Sequence, residues 1–307
     1  MLKVNYDVTE VRAGMLGEFI RNKTAITKFD LAVVVGLDYL VNEKLLSENF
    51  PIIGISLGYD INLAFEDSSK AKIVRVNAKY MDGIILDSKF SVQQLRKLLA
   101  KPLPKYLISP YGADLENFES HPIIIKKPLT IVVTRTWTKL NANHDIVKAM
   151  NLMKNNTSIH FLGVSGTYPR VLLENLSQKG FHKVEWYGTF AQSDIPVFLQ
   201  KGWCYVSAAN SDGTSVSLLE AMAAGKISVV SDFPSNLEWV SNGVNGFLFK
   251  NGNPHSLASV LDDISNMDLK DLYVIAQKAR ETVTTRGRWR VNSEQIMRFI
   301  GEFLPVE

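Results

Sequence analysis

A group of acidic, glycine and hydroxyl residues lies in the stretch SDGTSVSLLEAMAAG, residues 211–225. Asp212 and Glu220 are separated by seven residues, and the turn Gly213–Ser215 comes between a predicted strand and a predicted helix. Backbone N–H groups at the start of a helix bind anions, and a glycine there lets a phosphate approach closely. Carboxylates accept hydrogen bonds from sugar hydroxyls, so the pattern predicts a site for a phosphate beside a sugar.

A purely structural interpretation fits the same stretch. Asp212 or Ser211 would then cap the helix, and Glu220 would be a solvated helix residue. The choice depends on what the neighbouring strand ends carry, because open parallel sheets bind ligands beyond the carboxyl ends of their strands.

Two other parts of the chain carry residues suited to a nucleotide. Arg135 and Lys139 lie in TRTWTKLNANHD, where two cations could clamp a diphosphate; two solvated loop cations are the alternative. Gly163 ends a predicted strand in LGVSGTYPR, and Gly188 ends the next predicted strand. Glycines at these places would leave room for main-chain contacts around a base.

Short β-branched runs alternate with helical patterns along almost the whole chain. Strands are predicted at 3–6, 31–35, 52–55, 83–86, 106–109, 129–134, 159–163, 183–188, 204–208, 227–231 and 246–249. Continuous apolar strands joined by helices indicate parallel sheets covered on both faces, which is the α/β class. The pattern restarts after the polar stretch 116–128, which we interpret as a linker between two domains.

The composition excludes several classes of protein. A chain of 307 residues is longer than one core usually serves, and a net charge of +3 is too small for a dedicated nucleic-acid binder. The single cysteine, Cys204, forms no internal disulfide, and no apolar run reaches the length of a membrane span. No G-x-G-x-x-G fingerprint of a nicotinamide-dependent oxidoreductase occurs. We therefore predict a cytoplasmic protein that binds no nucleic acid.

Residues 211–249 resemble the donor-binding signature of the family 4 retaining glycosyltransferases. Two carboxylates separated by seven residues are followed by a leucine-rich helix, Ala-Met-Ala and Gly, and then by the matching stretch SDFPSNLEWVSNGVNGFLF. The segments LDSKFSVQQL, ISPYGADLENF, TIVVTRTWTKLNA and RWRVNSEQIMRFI resemble further parts of that family, so the resemblance extends over residues 52–303.

The resemblance implies the GT-B fold, in which two Rossmann-like parallel-sheet domains face a cleft. The implied ranges are 1–120 for a reduced acceptor-side domain, 121–285 for the donor domain and 286–307 for a terminal helix that crosses back. Only about thirty residues precede the strand at 31–35, which is room for little more than one further strand and helix. We expect this first domain to be naturally short, truncated, or completed by a partner chain, for example in a homodimer.

The implied activity is the transfer of a hexose from a nucleotide diphosphate sugar, of UDP or GDP type, to a glycan, lipid or other acceptor. It would proceed with retention of configuration and without a metal ion or cofactor, because cations and helix-start amides would take up the charge of the leaving diphosphate. Carried over by position, the resemblance implies that the catalytic residues are Asp212, Asp60, Arg135 and Lys139. The residues that would contact the donor are Arg135, Lys139, Gly163, Gly188, Asp212, Gly213, Thr214, Ser215 and Glu220, with Glu220 on the ribose. The residues on the acceptor side would be Gly58, Tyr59 and Asp60.

Two residues depart from the family pattern. Leu57 stands where the family has a histidine facing the donor sugar, and Asp212 stands where glutamate is usual. Leu57 cannot hydrogen-bond a sugar hydroxyl, and Asp60 could equally be an ordinary loop aspartate. The second hypothesis is therefore a catalytically weak relative that binds a nucleotide sugar and supports a partner glycosyltransferase.

A basic segment bears on the acceptor. No acidic residue lies between Asp87 and Asp114, while residues 89–105 mix lysines and an arginine with leucines. Such a segment could lie on an anionic membrane that carries a lipid-linked acceptor, at the inner membrane face. The alternative is a solvated helix face over an apolar core.

Overall fold

The computed structural model of the protein describes residues 29–38 and 50–304. The predicted strand at 3–6 lies outside the described residues. The rest forms two compact units, each built on a parallel sheet. Within the described residues, the first unit consists of the chain up to Leu86, Val92–Ile108 and the chain from Ile296 onwards, and the second consists of Asp87–Ser91 and Ser109–Gln295.

The first unit contains a four-stranded sheet in the order β1-β2-β3-β4. Its strands are β1 (Ala32–Val35), β2 (Ile52–Ile55), β3 (Gly83–Leu86) and β4 (Lys105–Ile108), and its helices are α1 (Tyr59–Leu63), α2 (Ser68–Tyr80) and α3 (Lys89–Leu99), whose first residues belong to the second unit. Alternate strand residues point to opposite faces. Ile52 and Ile84 therefore join one core with residues of α2 and α3, whereas Ile53 and Ile85 join another.

The second unit contains a six-stranded parallel sheet in the order β10-β9-β8-β5-β6-β7. The strands are β5 (Thr130–Val133), β6 (Ser158–Phe161), β7 (Lys183–Trp186), β8 (Cys204–Ser207), β9 (Ile227–Ser231) and β10 (Phe247–Phe249). The helices are α4 (Glu116–Glu119), α5 (Asn143–Met150), α6 (Thr167–Gln178), α7 (Ile195–Leu199), α8 (Val216–Ala223), α9 (Pro234–Leu237), α10 (Pro254–Asn266) and α11 (Leu269–Arg286).

Both faces of this larger sheet are buried. Ile131 and Val206 belong to one core and Val132 and Tyr205 to the other, as the two-residue period of a strand requires. A sheet covered on both sides explains why its strands read as continuous apolar runs. The fold is therefore the predicted α/β class, with two Rossmann-like units.

The last helix, α12 (Trp289–Gly301), follows α11. Its residues Ile296 and Phe299 pack against Ile53 and Ile85 of the first unit's sheet. Just after it, Phe303 lies so close to β3 that a β-carbon on Gly83 would come within 2.7 Å of its ring. The glycine at the start of β3 thus leaves room for this aromatic ring.

Among the described residues, no helix is long and apolar enough to cross a membrane.

Candidate active site

The strand order of the second unit reverses between β5 and β8. The chain runs from β5 outward to β6 and β7, then returns to place β8 on the other side of β5. Ligands of open α/β sheets bind beyond the carboxyl ends of the strands at such a switch point. The loops that follow β5 and β8 meet here, because the Asn210 N–H donates to the Leu140 carbonyl at 2.9 Å.

An ion pair joins the two loops. Arg135 follows β5 and its Nη2 lies 2.9 Å from Oδ2 of Asp212, which follows β8. The two side chains are only 18% and 16% exposed, so their attraction is little screened by water. Arg135 also donates from Nε and Nη2 to Oδ1 of Asn141, at 3.1 and 2.8 Å, and from Nη1 to Oγ of Ser215 at 3.4 Å.

Two asparagines that the sequence analysis missed hold the Arg135 loop in shape. Asn141 donates from Nδ2 to the Thr136 carbonyl at 2.9 Å, and Asn143 donates to the Arg135 carbonyl at 2.8 Å. Between them, Ala142 adopts a left-handed backbone with φ of 48°. The available signal was the pair of asparagines in LNANHD, since short amide side chains commonly bond nearby backbone in loops.

Burial and Arg135 act in opposite directions on Asp212. Burial raises the pKa of this carboxyl group, and the Arg135 guanidinium together with the N–H of Gly213 opposes that rise. The Gly213 N–H donates to Asp212 Oδ1 at 3.0 Å, and Ser235 Oγ donates to the Asp212 carbonyl at 3.1 Å. The loop is therefore fixed by its own hydrogen bonds and by α9.

The predicted helix after this loop is α8, and its N-cap is Ser215. The Ser215 side chain accepts a hydrogen bond from the Leu218 N–H, so the structural alternative that made Asp212 or Ser211 the cap is wrong. The neighbouring Thr214 amide is engaged, because it donates to Oδ2 of Asp87 at 2.6 Å. Two of the three amides in the turn Gly213–Ser215 that were predicted to bind phosphate therefore already have partners in this structure, Gly213 in Asp212 and Thr214 in Asp87.

Glu220 is buried in α8 with 5% of its surface exposed, so the alternative of a solvated helix residue is also wrong. Its Oε1 accepts a hydrogen bond from the side-chain amide of Gln192, a contact that no sequence signal predicted. Burial raises the pKa of Glu220 to about 7, and the Gln192 bond only partly opposes that. A buried carboxylate with spare acceptor capacity is suited to a diol that donates two hydrogen bonds.

The remaining predicted donor residues lie at strand ends of the second unit. Lys139 is exposed and has no ion-pair partner in the part of the chain that the structure describes. Gly163 follows β6, with φ of +68°, and its N–H donates to the Gly188 carbonyl after β7 at 3.1 Å. The two glycines are therefore adjacent, and a β-carbon on Gly188 would meet no atom within 4 Å.

Asp60, predicted to touch the acceptor or the reacting sugar, is fully buried in the first unit. Its carboxylate accepts the Leu37 N–H at 2.7 Å, the Ser56 hydroxyl at 2.7 Å and its neighbour's N–H at 2.9 Å. A side chain enclosed in this way matches the alternative of an ordinary structural aspartate, and its contact with a substrate stays a prediction. The same network shapes the predicted acceptor loop, because Ser56 Oγ also accepts the Gly58 N–H at 3.0 Å.

The other acceptor-side residues lie on that loop. Gly58 is buried with φ of +77° and precedes α1, which begins at the half-buried Tyr59. Leu57, in the place of the family's histidine, is half-buried. Across the described residues, no group of three or more His, Cys, Asp or Glu side chains is arranged to hold a metal ion.

The sequence profile of the family described as Glycosyl transferases group 1 matches residues 114–282. The N,N'-diacetylbacillosaminyl-diphospho-undecaprenol alpha-1,3-N-acetylgalactosaminyltransferase of Campylobacter jejuni is 25% identical over 203 residues, 61% of this chain and 52% of that protein. The putative colanic acid biosynthesis glycosyltransferase WcaL of Escherichia coli is 29% identical over 197 residues, 59% of this chain and 47% of that protein. The chain thus spans about half the length of the curated relatives it matches.

The structure of Anabaena Alr3699/HepE, solved in complex with UDP-glucose, is similar with a TM-score of 0.78 and 16% identity. The similarity covers 94% of this chain and 82% of that one, and at this identity it shows the GT-B type of fold alone. The profile match covers more than half of the chain, and it contains Arg135, Asp212 and Glu220. The chain therefore belongs to the Glycosyl transferases group 1 family.

Proposed function

We propose that the chain is a family 4 member of this group that transfers a hexose from a nucleotide diphosphate sugar, of UDP or GDP type. The reaction retains configuration and needs no metal ion. The observation that carries the proposal is the convergence of Arg135 and Asp212, 2.9 Å apart, at the switch point of the second unit's sheet. Glu220 follows on the helix that starts from the same loop.

Each side chain is suited to one part of the donor. The bond from the anomeric carbon to the diphosphate breaks, the diphosphate leaves with the electron pair, and an acceptor hydroxyl bonds to the sugar as its proton passes to the departing diphosphate. Lys139 and Arg135 face the growing negative charge, and a guanidinium with five N–H donors can keep Asp212 and still donate to a phosphate. Asp212 accepts from the transferred sugar, and Glu220 from the ribose.

The second candidate is a catalytically weak relative that binds a nucleotide sugar and supports a partner transferase. Two features of the first unit favour it. Leu57 offers no polar group to a sugar, and Asp60 is enclosed in the core. Under this alternative the protein still binds a nucleotide sugar through the second unit but does not transfer the sugar to an acceptor.

Nucleotide release separates the two candidates. Purified protein is incubated with UDP-glucose, UDP-N-acetylglucosamine or GDP-mannose, with and without simple glycosides and polyprenyl-diphosphate-linked sugars. A transferase releases one nucleoside diphosphate in an acceptor-dependent way, and replacing Asp212 with asparagine lowers that release at least tenfold. Binding of the donor without release under any acceptor would favour the supporting role. The control is Glu174→Gln, on the exposed face of α6.

We also propose that a lipid-linked acceptor is approached through the cationic face of residues 89–105. The similar enzyme of Campylobacter jejuni is named for an undecaprenol-linked substrate, which supports such an acceptor class. Leu95 and Leu98 are buried in the core, at 0% and 5% exposure, while Arg96 and Lys97 are exposed. The contact would therefore be electrostatic and shallow, without inserted leucines.

Vesicle sedimentation tests this contact. Phosphatidylglycerol vesicles should bind the protein at low salt and phosphatidylcholine vesicles should not, and the charge reversal Lys97→Glu with Lys101→Glu should abolish the difference. The matched pair Lys270→Glu with Lys278→Glu, exposed in the second unit, should leave it unchanged. If both double variants lose vesicle binding equally, binding depends on net charge alone, which would contradict a contact through the face of residues 89–105.

A further inference from the structure

The carboxylate of Asp87 contacts the predicted phosphate-binding turn from a distant part of the chain. Asp87 follows β3 and is 3% exposed. Its Oδ2 accepts the Thr214 N–H at 2.6 Å, and its backbone carbonyl accepts the Thr214 hydroxyl at 2.8 Å. Both donors of Thr214 are thus bound to one residue, which fixes the orientation of that peptide group.

Buried polar groups support this contact on both sides. The hydroxyl of Ser91 donates to Asp87 Oδ1 at 2.7 Å, and the hydroxyl of Ser88 lies 3.3 Å from the same atom. On the other side, Trp239 Nε1 donates to Thr214 Oγ1 at 3.3 Å. Charge-assisted bonds in a buried network are stronger and more directional than exposed ones, so Asp87 is a firm anchor for the turn.

A second carboxylate, that of Glu238, binds the segment that contains Asp87. Glu238 accepts the backbone N–H groups of Lys89 and Phe90, at 3.1 and 2.8 Å. A carboxylate beside the first amides of a helix such as α3 is electrostatically favoured. The rings of Phe90 and Phe233 pack edge to face with centroids 5.3 Å apart. Asp87 therefore binds the turn that contains Thr214, and Glu238, just after α9, binds the backbone of residues 89 and 90.

We propose that Asp87 is a positioning residue of the donor site. It holds Thr214 so that the neighbouring amide of Ser215 and the start of α8 are presented to the diphosphate of a nucleotide, while Glu238 keeps Asp87 in place. This inference rests on the proposed function. The amide of Thr214 itself then binds no phosphate, because the Asp87 carboxylate occupies it.

Calorimetric titration with UDP, GDP, uridine and guanosine tests the role. For the base that binds the wild type, Asp87→Ala should weaken the diphosphate about tenfold and the nucleoside less than twofold, because only phosphate contacts depend on the turn. Asp87→Asn should stay within about threefold of the wild type, because its side-chain oxygen still accepts the Thr214 N–H. Glu238→Ala should give a smaller loss with the same preference for the diphosphate.

The control is Asp67→Ala. Asp67 is an exposed carboxylate that accepts two backbone N–H groups at the start of α2 in the first unit, so its loss should leave nucleotide affinity unchanged. Diphosphate affinity in Asp87→Ala equal to or tighter than wild type would overturn the positioning role, the tighter value indicating that Asp87 competes with phosphate. Equal losses for diphosphate and nucleoside would also overturn it. A wild type that binds neither diphosphate would overturn the proposed function and this inference together.

Discussion

At the residue scale, the two carboxylates of the candidate site differ in how their charge is balanced. Asp212 has the Arg135 guanidinium at 2.9 Å, whereas the side chain of Glu220 has an amide, from Gln192, as its partner among the described residues. Burying a carboxylate without a cation destabilises the folded state when the group is ionised. Groups with such perturbed pKa values concentrate at ligand-binding and catalytic sites, which favours a ligand role for Glu220.

This imbalance predicts how stability depends on pH. The pKa of Glu220 is raised from 4.5 to about 7 in the folded chain, so the folded state holds the proton more tightly than the unfolded state. Its contribution to stability is therefore complete below pH 4.5 and is lost as the pH rises through 7, by on the order of 3 kcal/mol. Glu220→Gln should raise the melting temperature at pH 8 and have little effect near pH 4.5.

Thermal unfolding of the wild type, Glu220→Gln and the exposed Glu174→Gln across that pH range measures this effect. Glu174→Gln should follow the wild-type profile, because its side chain is exposed. If the Glu220→Gln profile is parallel to the wild type from pH 4.5 to 8, the carboxyl group is not the titrating one.

Lys139 allows a second prediction at this scale. It is exposed and carries no ion pair with another described residue, so Lys139→Ala should leave the melting temperature unchanged. Loss of one charged donor to a diphosphate should still weaken UDP or GDP binding about tenfold, without a matching loss for the nucleoside. Titration of the diphosphate and of the nucleoside, with Lys270→Ala as a surface control, measures this difference in affinity. An equal loss for the nucleoside would mean that Lys139 supports the loop instead.

The sequence predicted part of this chemistry. Arg135 and Asp212 lie just beyond strands that the β-branched pattern locates, so their meeting at one sheet edge was foreseeable. The burial of Asp60 was not, because it depends on hydrogen bonds from Leu37 and other groups that no local pattern reveals. The Asp87 contact joins residues 127 positions apart and was likewise beyond the reach of local patterns.

At the element scale, the strands agree with the sequence to within one or two residues wherever they are described. Fully buried parallel strands carry an apolar signal on both faces, which makes them easy to recognise. Short helices were missed for the opposite reason. The sequence pattern favours a linker at 116–128, yet this stretch begins with α4, and Phe118 there is 3% exposed within the second unit's core. A helix of one turn has too few residues to show a period.

The segment around Gly112 gives a test of how one turn fixes the last elements. The Ala113 N–H donates to the Gly287 carbonyl at 2.8 Å, and the Trp289 N–H donates to the Ala113 carbonyl at 3.1 Å, beside the start of α12. Gly112 has φ of +80°, and a β-carbon there would lie 2.5 Å from the Gly287 oxygen. Gly112→Ala should therefore destabilise the fold through backbone strain and a steric clash.

Gly166→Ala is the matched control, because Gly166 has the same φ of +80° but no atom within 4 Å of the added β-carbon. Its cost should be that of its own backbone conformation alone, φ of 80° with ψ of 171°, which favours glycine and costs about 1–3 kcal/mol for another residue. Chemical denaturation should show Gly112→Ala to be less stable than Gly166→Ala by about 2 kcal/mol or more. Equal losses would show that the packing of residues 287–289 against the turn is dispensable.

At the scale of the whole molecule, membership of the Glycosyl transferases group 1 family joins these observations to a class of chemistry. The second unit carries the features on which the proposed nucleotide-sugar site rests: a switch point, the two cations Arg135 and Lys139 in the loop after β5, a capped helix start and a buried carboxylate. In the first unit, Leu57 departs from the family pattern and Asp60 is enclosed by hydrogen bonds. Donor binding by the second unit can therefore be tested by one experiment without knowledge of the acceptor.

That experiment is a thermal-shift panel of UDP, GDP, ADP and their common sugar conjugates on the wild type beside Glu220→Ala. A ligand that binds only the folded chain raises its melting temperature by mass action. We predict a shift with UDP or GDP and its sugar conjugate, lost or reduced at least tenfold in apparent affinity in Glu220→Ala, which should itself remain folded. No shift with any nucleotide, or an equal shift in the variant, would contradict the donor site described here.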